Sequence, residues 1–160
     1  MNKKILVVFI ILLFLITIGK EVNWNHNNTS VTVFVLDSGI INSPGFETSH
    51  GNLVYNIIEK EAPDTKIISL NVADSENKVM EYLYYKGLKE VIRYTKRNLD
   101  SNILLNISLS FSENRLLHYN LIKQLADNGV YIIAAAGNNN SRKKVFPAGY
   151  DNEVITVASA

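Results

Sequence analysis

The chain has 160 residues, 47% hydrophobic and 19% charged, which suits one domain with a sizeable core and is short for two. Its 16 basic and 15 acidic residues leave a formal charge of +1, which excludes the strong field that gathers nucleic acid. It has no cysteine, which excludes disulfides, thiol nucleophiles and thiolate zinc sites, and its three scattered histidines predict no metal site.

Residues 1–19 differ in character from the rest of the chain. Lys3 and Lys4 precede an unbroken apolar run over residues 5–16, which is typical of a secretory signal peptide or a membrane anchor. The run is shorter than the ~20 apolar residues of a spanning helix, but no small-residue cleavage site follows it, so both alternatives stay open. In either case the basic start predicts that the remainder of the chain lies outside the cytoplasm. A core helix is disfavoured because no polar face interrupts the run.

Residues 20–30 are polar and rich in Asn, and they predict a spacer ahead of a single domain over residues 31–160. Five apolar, β-branched runs in that domain predict strands, at residues 31–36, 66–72, 102–108, 130–135 and 153–158. Because these runs are continuously apolar, they are typical of strands buried on both faces.

Segments with apolar residues at helical spacing lie between the predicted strands. One helix is predicted over residues 52–58, a second from Met80 to Thr95, and a third through Leu117, Leu121, Ile122 and Leu125. Strands that alternate with helices favour a parallel sheet covered on both sides, an α/β fold. Ligands of such sheets bind beyond the carboxyl ends of the strands.

Three polar residues occupy such positions. Asp37 follows the first strand directly, His50 begins the next helix, and Asn138 follows a fourth strand that ends in small residues. Each has an ordinary explanation by itself, since Asp and Asn form turns and an isolated His is usually a surface residue. Their order and placement nevertheless predict that an acid, an imidazole and an amide meet at one edge of the sheet.

Five segments resemble successive blocks of the subtilisin-like (peptidase S8, subtilase) family, in the family's order: residues 33–39, 50–58, 105–109, 133–138 and 146–157. The resemblance implies a three-layer α/β/α fold with a mostly parallel sheet and serine endopeptidase activity. It also implies that Asp37 and His50 belong to an Asp–His–Ser triad and that Asn138 contributes to the oxyanion hole. The implied substrate cleft, to which a peptide adds as a strand, is edged by Asn106, Ser108, Leu109, Ala135, Ala136 and Gly137.

The chain also departs from the family pattern. The Gly-Thr-Ser-x-Ala block that carries the nucleophile is absent, so we expect the catalytic domain to be incomplete at its carboxyl end and to lack triad-dependent activity. Asn52 and Leu53 stand where the family has Thr and His, and Ser110 stands where it has Gly. The segment between Asp37 and His50 is short, and residues 20–30 leave no room for a folding propeptide. These features favour a trimmed subtilase of bacterial type.

The sequence therefore predicts a secreted or membrane-anchored serine endopeptidase that is cut short before its serine and acts on a peptide or protein substrate. Residues 5–19 provide a membrane contact if the signal is not cleaved. The alternative is a catalytically inactive, subtilase-derived peptide-binding protein or a nonfunctional fragment. No cofactor is predicted; calcium stabilises many relatives, but no calcium site is identifiable. A nucleotide-binding domain is excluded because no glycine-rich phosphate loop follows any strand.

Overall fold

The computed structural model describes residues 31–38, 49–99, 102–138 and 143–158. The predicted signal or anchor (1–19) and the spacer (20–30) lie outside these ranges. Within them, no helix combines the length and apolar character needed to cross a membrane. The same residues contain no group of three or more His, Asp or Glu side chains arranged to hold a metal ion.

Five strands and three helices alternate along the described part of the chain. The strands are β1 Val31–Asp37, β2 Lys66–Asn71, β3 Asn102–Ile107, β4 Tyr131–Ala135 and β5 Ile155–Val157. The helices are α1 His50–Glu61, α2 Glu81–Thr95 and α3 Leu116–Asp127. The strand order is β2-β1-β3-β4-β5 and every neighbouring pair is parallel. This confirms the predicted α/β fold with a parallel sheet.

The side chains of the sheet separate into two cores. Val33, Val35 and Leu104 pack with Val54 and Ile58 of α1 on one side, called here the α1 face. Alternate residues pack with α2 and α3 on the other side, the α2/α3 face; they include Phe34, Leu36, Leu105, Ile107 and Ala134. Successive side chains of a strand point to opposite faces, so Asp37 belongs to the α1 face together with Val33 and Val35.

Three details of the predicted burial are wrong. β5, at one edge of the sheet, is not buried on both faces, since Ile155 is half-buried and Thr156 is exposed. β2 is not buried on both faces: Lys66 is exposed and the other five residues are half-buried, because β2 lies at an edge of the sheet. In α3, Leu117 does not face the core and is 51% exposed. His118 takes the inward position with Leu121, Ile122 and Leu125.

Candidate active site

The carboxylate of Asp37 is held at the carboxyl end of β1. The residue is completely buried, and its carbonyl oxygen accepts a hydrogen bond from the Val72 amide at 3.0 Å, just beyond the end of β2. Its Oδ1 accepts a hydrogen bond from the Ser38 amide at 2.6 Å. Backbone pairing and this side-chain bond together fix the direction of the carboxylate.

Helix α1 brings His50 to the same point. Ser49 is the N-cap: its backbone is extended and its hydroxyl oxygen accepts a hydrogen bond from the Asn52 amide at 3.4 Å. The Gly51 amide donates to the Ser38 carbonyl at 3.0 Å, which ties the first turn of the helix to the end of β1. His50 is the first residue of the helix, and 31% of its side chain is exposed.

Asp37 and His50 form a direct pair. The Nδ1 atom of His50 lies 2.9 Å from Oδ2 and 3.0 Å from Oδ1 of Asp37. An ionised carboxylate only accepts hydrogen bonds, so Nδ1 carries the proton and the lone pair of the neutral ring is on Nε2. A ring in this tautomer can take a proton at Nε2, and the buried carboxylate then stabilises the imidazolium that forms.

Asn138 lies beyond the carboxyl end of β4, and its side chain is exposed. Leu36, Ile107 and Ala134 are aligned across β1, β3 and β4, so Asp37 and the residues that follow Ala135 lie at the same edge of the sheet. β4 is two strands away from β1, a separation of about 10 Å. Gly137 has a φ of +86°, which favours glycine, and it forms the bend that leads to Asn138.

The predicted cleft residues differ in their burial. Ser108, Leu109, Ala135, Ala136 and Gly137 are all half-buried at the sheet edge. Asn106 is only 2% exposed; its Nδ2 donates to the Ser108 hydroxyl at 3.0 Å, and its Oδ1 has no hydrogen-bond partner within the described part of the chain. The Asn106 side chain therefore supports Ser108 from inside the fold.

A second polar group, which the sequence analysis missed, lies on the α2/α3 face. The Nε2 atom of His118 is 2.8 Å from the hydroxyl of Tyr84, and both residues are buried. Burial lowers the pKa of His118 to about 4, although the carboxylate of Glu81 acts in the opposite direction. Burial also raises the pKa of Tyr84 well above its ordinary value. The helical spacing of His118 with Leu121, Ile122 and Leu125 is the sequence signal from which its burial could have been predicted.

Comparisons with known proteins agree with the fold. No protein-family model matches the chain, and no curated protein matches its sequence. Among solved structures, it is similar to the prenylagaramide maturation protease PagA, with 24% identity and a TM-score of 0.60 over 79% of this chain and 52% of that one. It is also similar to sphericase, with 21% identity and a TM-score of 0.52 over 59% of this chain and 31% of that one.

The chain thus spans about half of the length of PagA and about a third of that of sphericase. At these identities the likeness concerns the fold, and it confirms that the described residues form a subtilisin-like α/β fold.

Proposed function

We propose that this domain is the acid–base part of a subtilisin-like serine endopeptidase, in which Asp37 and His50 activate a serine hydroxyl. The observation that carries the proposal is the hydrogen-bonded pair between a completely buried carboxylate and an imidazole that is 31% exposed. A carboxylate inside the fold can orient the ring and stabilise its charged form, while the ring itself stays accessible to a substrate. The subtilisin-like fold supports the same conclusion.

The proposed reaction uses both nitrogens of the ring. Nε2 of His50 takes the serine proton as the serine oxygen attacks the peptide carbonyl, and then gives that proton to the departing amine. Water hydrolyses the resulting acyl-enzyme by the same route. The family's serine block is not among residues 31–160, so in this proposal the hydroxyl comes from polypeptide outside these 160 residues.

In the same proposal, Asn138 stabilises the negative charge that develops on the carbonyl oxygen. An exposed amide just beyond β4, at the edge where β1 ends, suits a donor to an oxyanion. The substrate is a peptide or protein segment that lies along Ser108, Leu109 and residues 135–137. It pairs through its backbone, as an added strand does.

We further propose that the domain works outside the cytoplasm, secreted or attached to a membrane. The support is in the sequence alone: Lys3 and Lys4 precede the apolar run of residues 5–16. Cell fractionation is expected to recover the protein with membranes or outside the cell. Unprocessed protein in the soluble cytoplasm would contradict this part of the proposal.

The decisive experiment is covalent labelling of the gene product, purified from its natural source, with a fluorophosphonate probe. We expect one serine adduct by mass spectrometry, and we expect its loss in the His50→Ala variant because the hydroxyl then has no base. His26→Ala, in the predicted spacer, is the matched control and should label normally.

Absence of labelling in the natural gene product would contradict the endopeptidase proposal. If such a protein still bound peptides, the domain would be a catalytically inactive peptide-binding protein. Labelling that persists in His50→Ala would show that another group is the base.

A further inference from the structure

The outer side of helix α2 carries a row of basic residues. The exposed positions are spaced alternately by four and three residues, which places them on one side of the helix: Tyr82, Lys86, Lys89, Arg93 and Lys96. Lys96, the C-cap, keeps a right-handed helical backbone and so continues the row. At the helical rise and rotation per residue, the row is about 21 Å long and about 80° wide. Its four basic members are called here the basic stripe.

Positive charge is concentrated on this helix. Residues 81–97 carry five basic and two acidic side chains, whereas the formal charge of the whole chain is only +1. Both acidic side chains are already paired: Glu81 with Arg115, which begins the neighbouring helix, and Glu90 with Arg93. The carboxylates of α2 therefore leave most of its positive charge uncompensated.

Three lysines supply that uncompensated charge. Lys86, Lys89 and Lys96 have no carboxylate within ion-pair distance in the part of the chain that the structure describes. Large apolar side chains are exposed near both ends of the stripe: Tyr82 is 65% exposed, and Leu99, beyond the end of α2, is 83% exposed. A basic helix face that is flanked by exposed aromatic and aliphatic side chains is typical of a helix that lies on an anionic lipid surface.

The carboxyl end of the stripe lies beside the start of β1. The hydroxyl of Tyr94, in the last turn of α2, is 3.4 Å from Oγ1 of Thr32. A further cation extends the surface there, since Nζ of Lys66 is 3.3 Å from the same hydroxyl and Lys66 pairs with Thr32 in the sheet. β1 begins at Val31, so the predicted signal or anchor is connected to the domain next to this end of α2.

The length of the connection allows the whole helix to reach a membrane. The predicted spacer, residues 20–30, can reach at most about 40 Å, which exceeds the stripe's length of about 21 Å. A domain that is attached through residues 5–16 can therefore lay all of α2 on the same lipid surface.

We propose that the basic stripe binds the phosphate groups of an anionic phospholipid membrane, with Tyr82 and Leu99 packed at the level of the headgroups. Attachment to a membrane in the cell rests on the proposed location outside the cytoplasm, whereas the preference for anionic lipid rests on the stripe. α1 and α2 cover opposite faces of the sheet. A domain that rests on α2 thus turns the Asp37–His50 pair away from the lipid, toward peptides in the aqueous phase.

The test uses the full 160-residue chain in lipid vesicles and measures how fast each lysine reacts with a membrane-impermeant acetylating ester, by mass spectrometry. The vesicles are neutral phosphatidylcholine, or phosphatidylcholine with about a third of phosphatidylglycerol. We expect Lys86, Lys89 and Lys96 to react at least about threefold more slowly on the anionic vesicles, with a difference that shrinks as salt is raised. Lys60, whose side chain is 82% exposed on α1, is the internal control and should react equally on both.

Charge-neutralising variants separate the stripe from the rest of the surface. Changing Lys89 and Lys96 together to Gln should remove most of the protection of Lys86, and changing both to Arg should retain it. Lys60→Gln with Lys144→Gln removes the same charge away from α2, so this matched control should leave Lys86 protected. All four lysines are exposed, so these variants should fold.

Equal reaction of the three stripe lysines on the two kinds of vesicle would overturn the inference. Protection by soluble polyphosphate, with none by the anionic vesicles, would assign the stripe to another polyanion and would also overturn it.

The vesicle experiment needs no catalysis and no cell, so its outcome can be told apart from that of the proposed function. If cell fractionation recovered unprocessed protein from the cytoplasm but the anionic vesicles still protected the stripe, the proposed location would fail and the lipid-binding surface would stand. Failure of the natural gene product to react with a fluorophosphonate would end the endopeptidase proposal alone.

Discussion

The two described histidines occupy opposite faces of the sheet and have opposite environments. His50, at the start of α1, is 31% exposed and is paired with the carboxylate of Asp37. His118, in the first turn of α3, is 2% exposed and is paired with the neutral hydroxyl of Tyr84. The first partner favours a charged imidazolium, whereas the second environment opposes it.

The difference shows how one residue type is placed in two contrasting environments within one fold. An accessible ring beside an anion can gain and lose a proton, which is what a general base needs. A ring enclosed by Tyr84, Tyr85, Phe111 and Tyr150 is held neutral and acts as a packing element. The α1 face therefore carries the pair that we propose for proton transfer, at the edge of the sheet, and the α2/α3 face carries the larger core.

The largest effect is expected from giving His50 a neutral partner like that of His118. In the natural gene product, Asp37→Asn should lower kcat for peptide hydrolysis by about 10⁴-fold, because an amide neither holds the tautomer nor stabilises the imidazolium. Peptide hydrolysis at neutral pH measures the effect, and Asp64→Asn, an exposed residue, serves as the control. A loss below tenfold would show that the pair is structural.

A smaller loss of kcat is expected from a substitution of Asn138, at the other end of the proposed site. Asn138→Ala should reduce kcat by about 10²–10³-fold and change KM little, because its proposed hydrogen bond forms mainly in the transition state. Steady-state kinetics separates the two constants, and Asn152→Ala, in an exposed turn, is the control. An equal rise in KM with unchanged kcat would assign Asn138 to substrate binding.

The third prediction concerns the pH dependence of stability on the α2/α3 face. The pKa of His118 is about 4 in the folded protein against an ordinary value of 6.5, so the unfolded chain binds the proton more readily. The contribution of His118 to the free energy of unfolding is complete above about pH 6.5. It is lost as the pH falls toward 4, by up to about 3 kcal/mol.

Urea unfolding at pH 7, 5.5 and 4 measures this contribution. His118→Gln should show a weaker fall in the free energy of unfolding over the same range than the unaltered chain. The quantity to compare is the slope of the free energy of unfolding against pH, since the other groups titrate equally in both proteins. Parallel curves would contradict the neutral state assigned to His118.

The smallest effect is expected where α2 approaches the sheet. A Cβ placed on Gly87 would lie 2.5 Å from Cδ1 of Leu36, a completely buried side chain. Gly87→Ala gains up to about 1 kcal/mol of helix propensity. Overpacking costs about 1–3 kcal/mol, so we expect net destabilisation. Urea unfolding at pH 7 measures this destabilisation. Lys89→Ala, at an exposed residue of the same helix, is the control. A more stable Gly87→Ala variant would show that Leu36 moves aside freely.

Local patterns in the sequence predicted the order of strands and helices and the positions of Asp37, His50 and Asn138 at element ends. They could do so because strand and helix periods and turn residues act over a few neighbouring residues. The same local signal was available for His118, whose spacing matches the buried side chains of α3, although the prediction placed Leu117 there instead.

The tertiary structure decided which of these residues meet. The Asp37–His50 bond joins residues 13 apart, and the Arg115–Glu81 and His118–Tyr84 contacts each join residues 34 apart. The half-exposed state of β2 likewise follows from its place at the edge of the sheet. That place cannot be inferred from the apolar composition of the strand itself. Such contacts depend on how separate elements stack, and local periodicity carries no information about the distance between them.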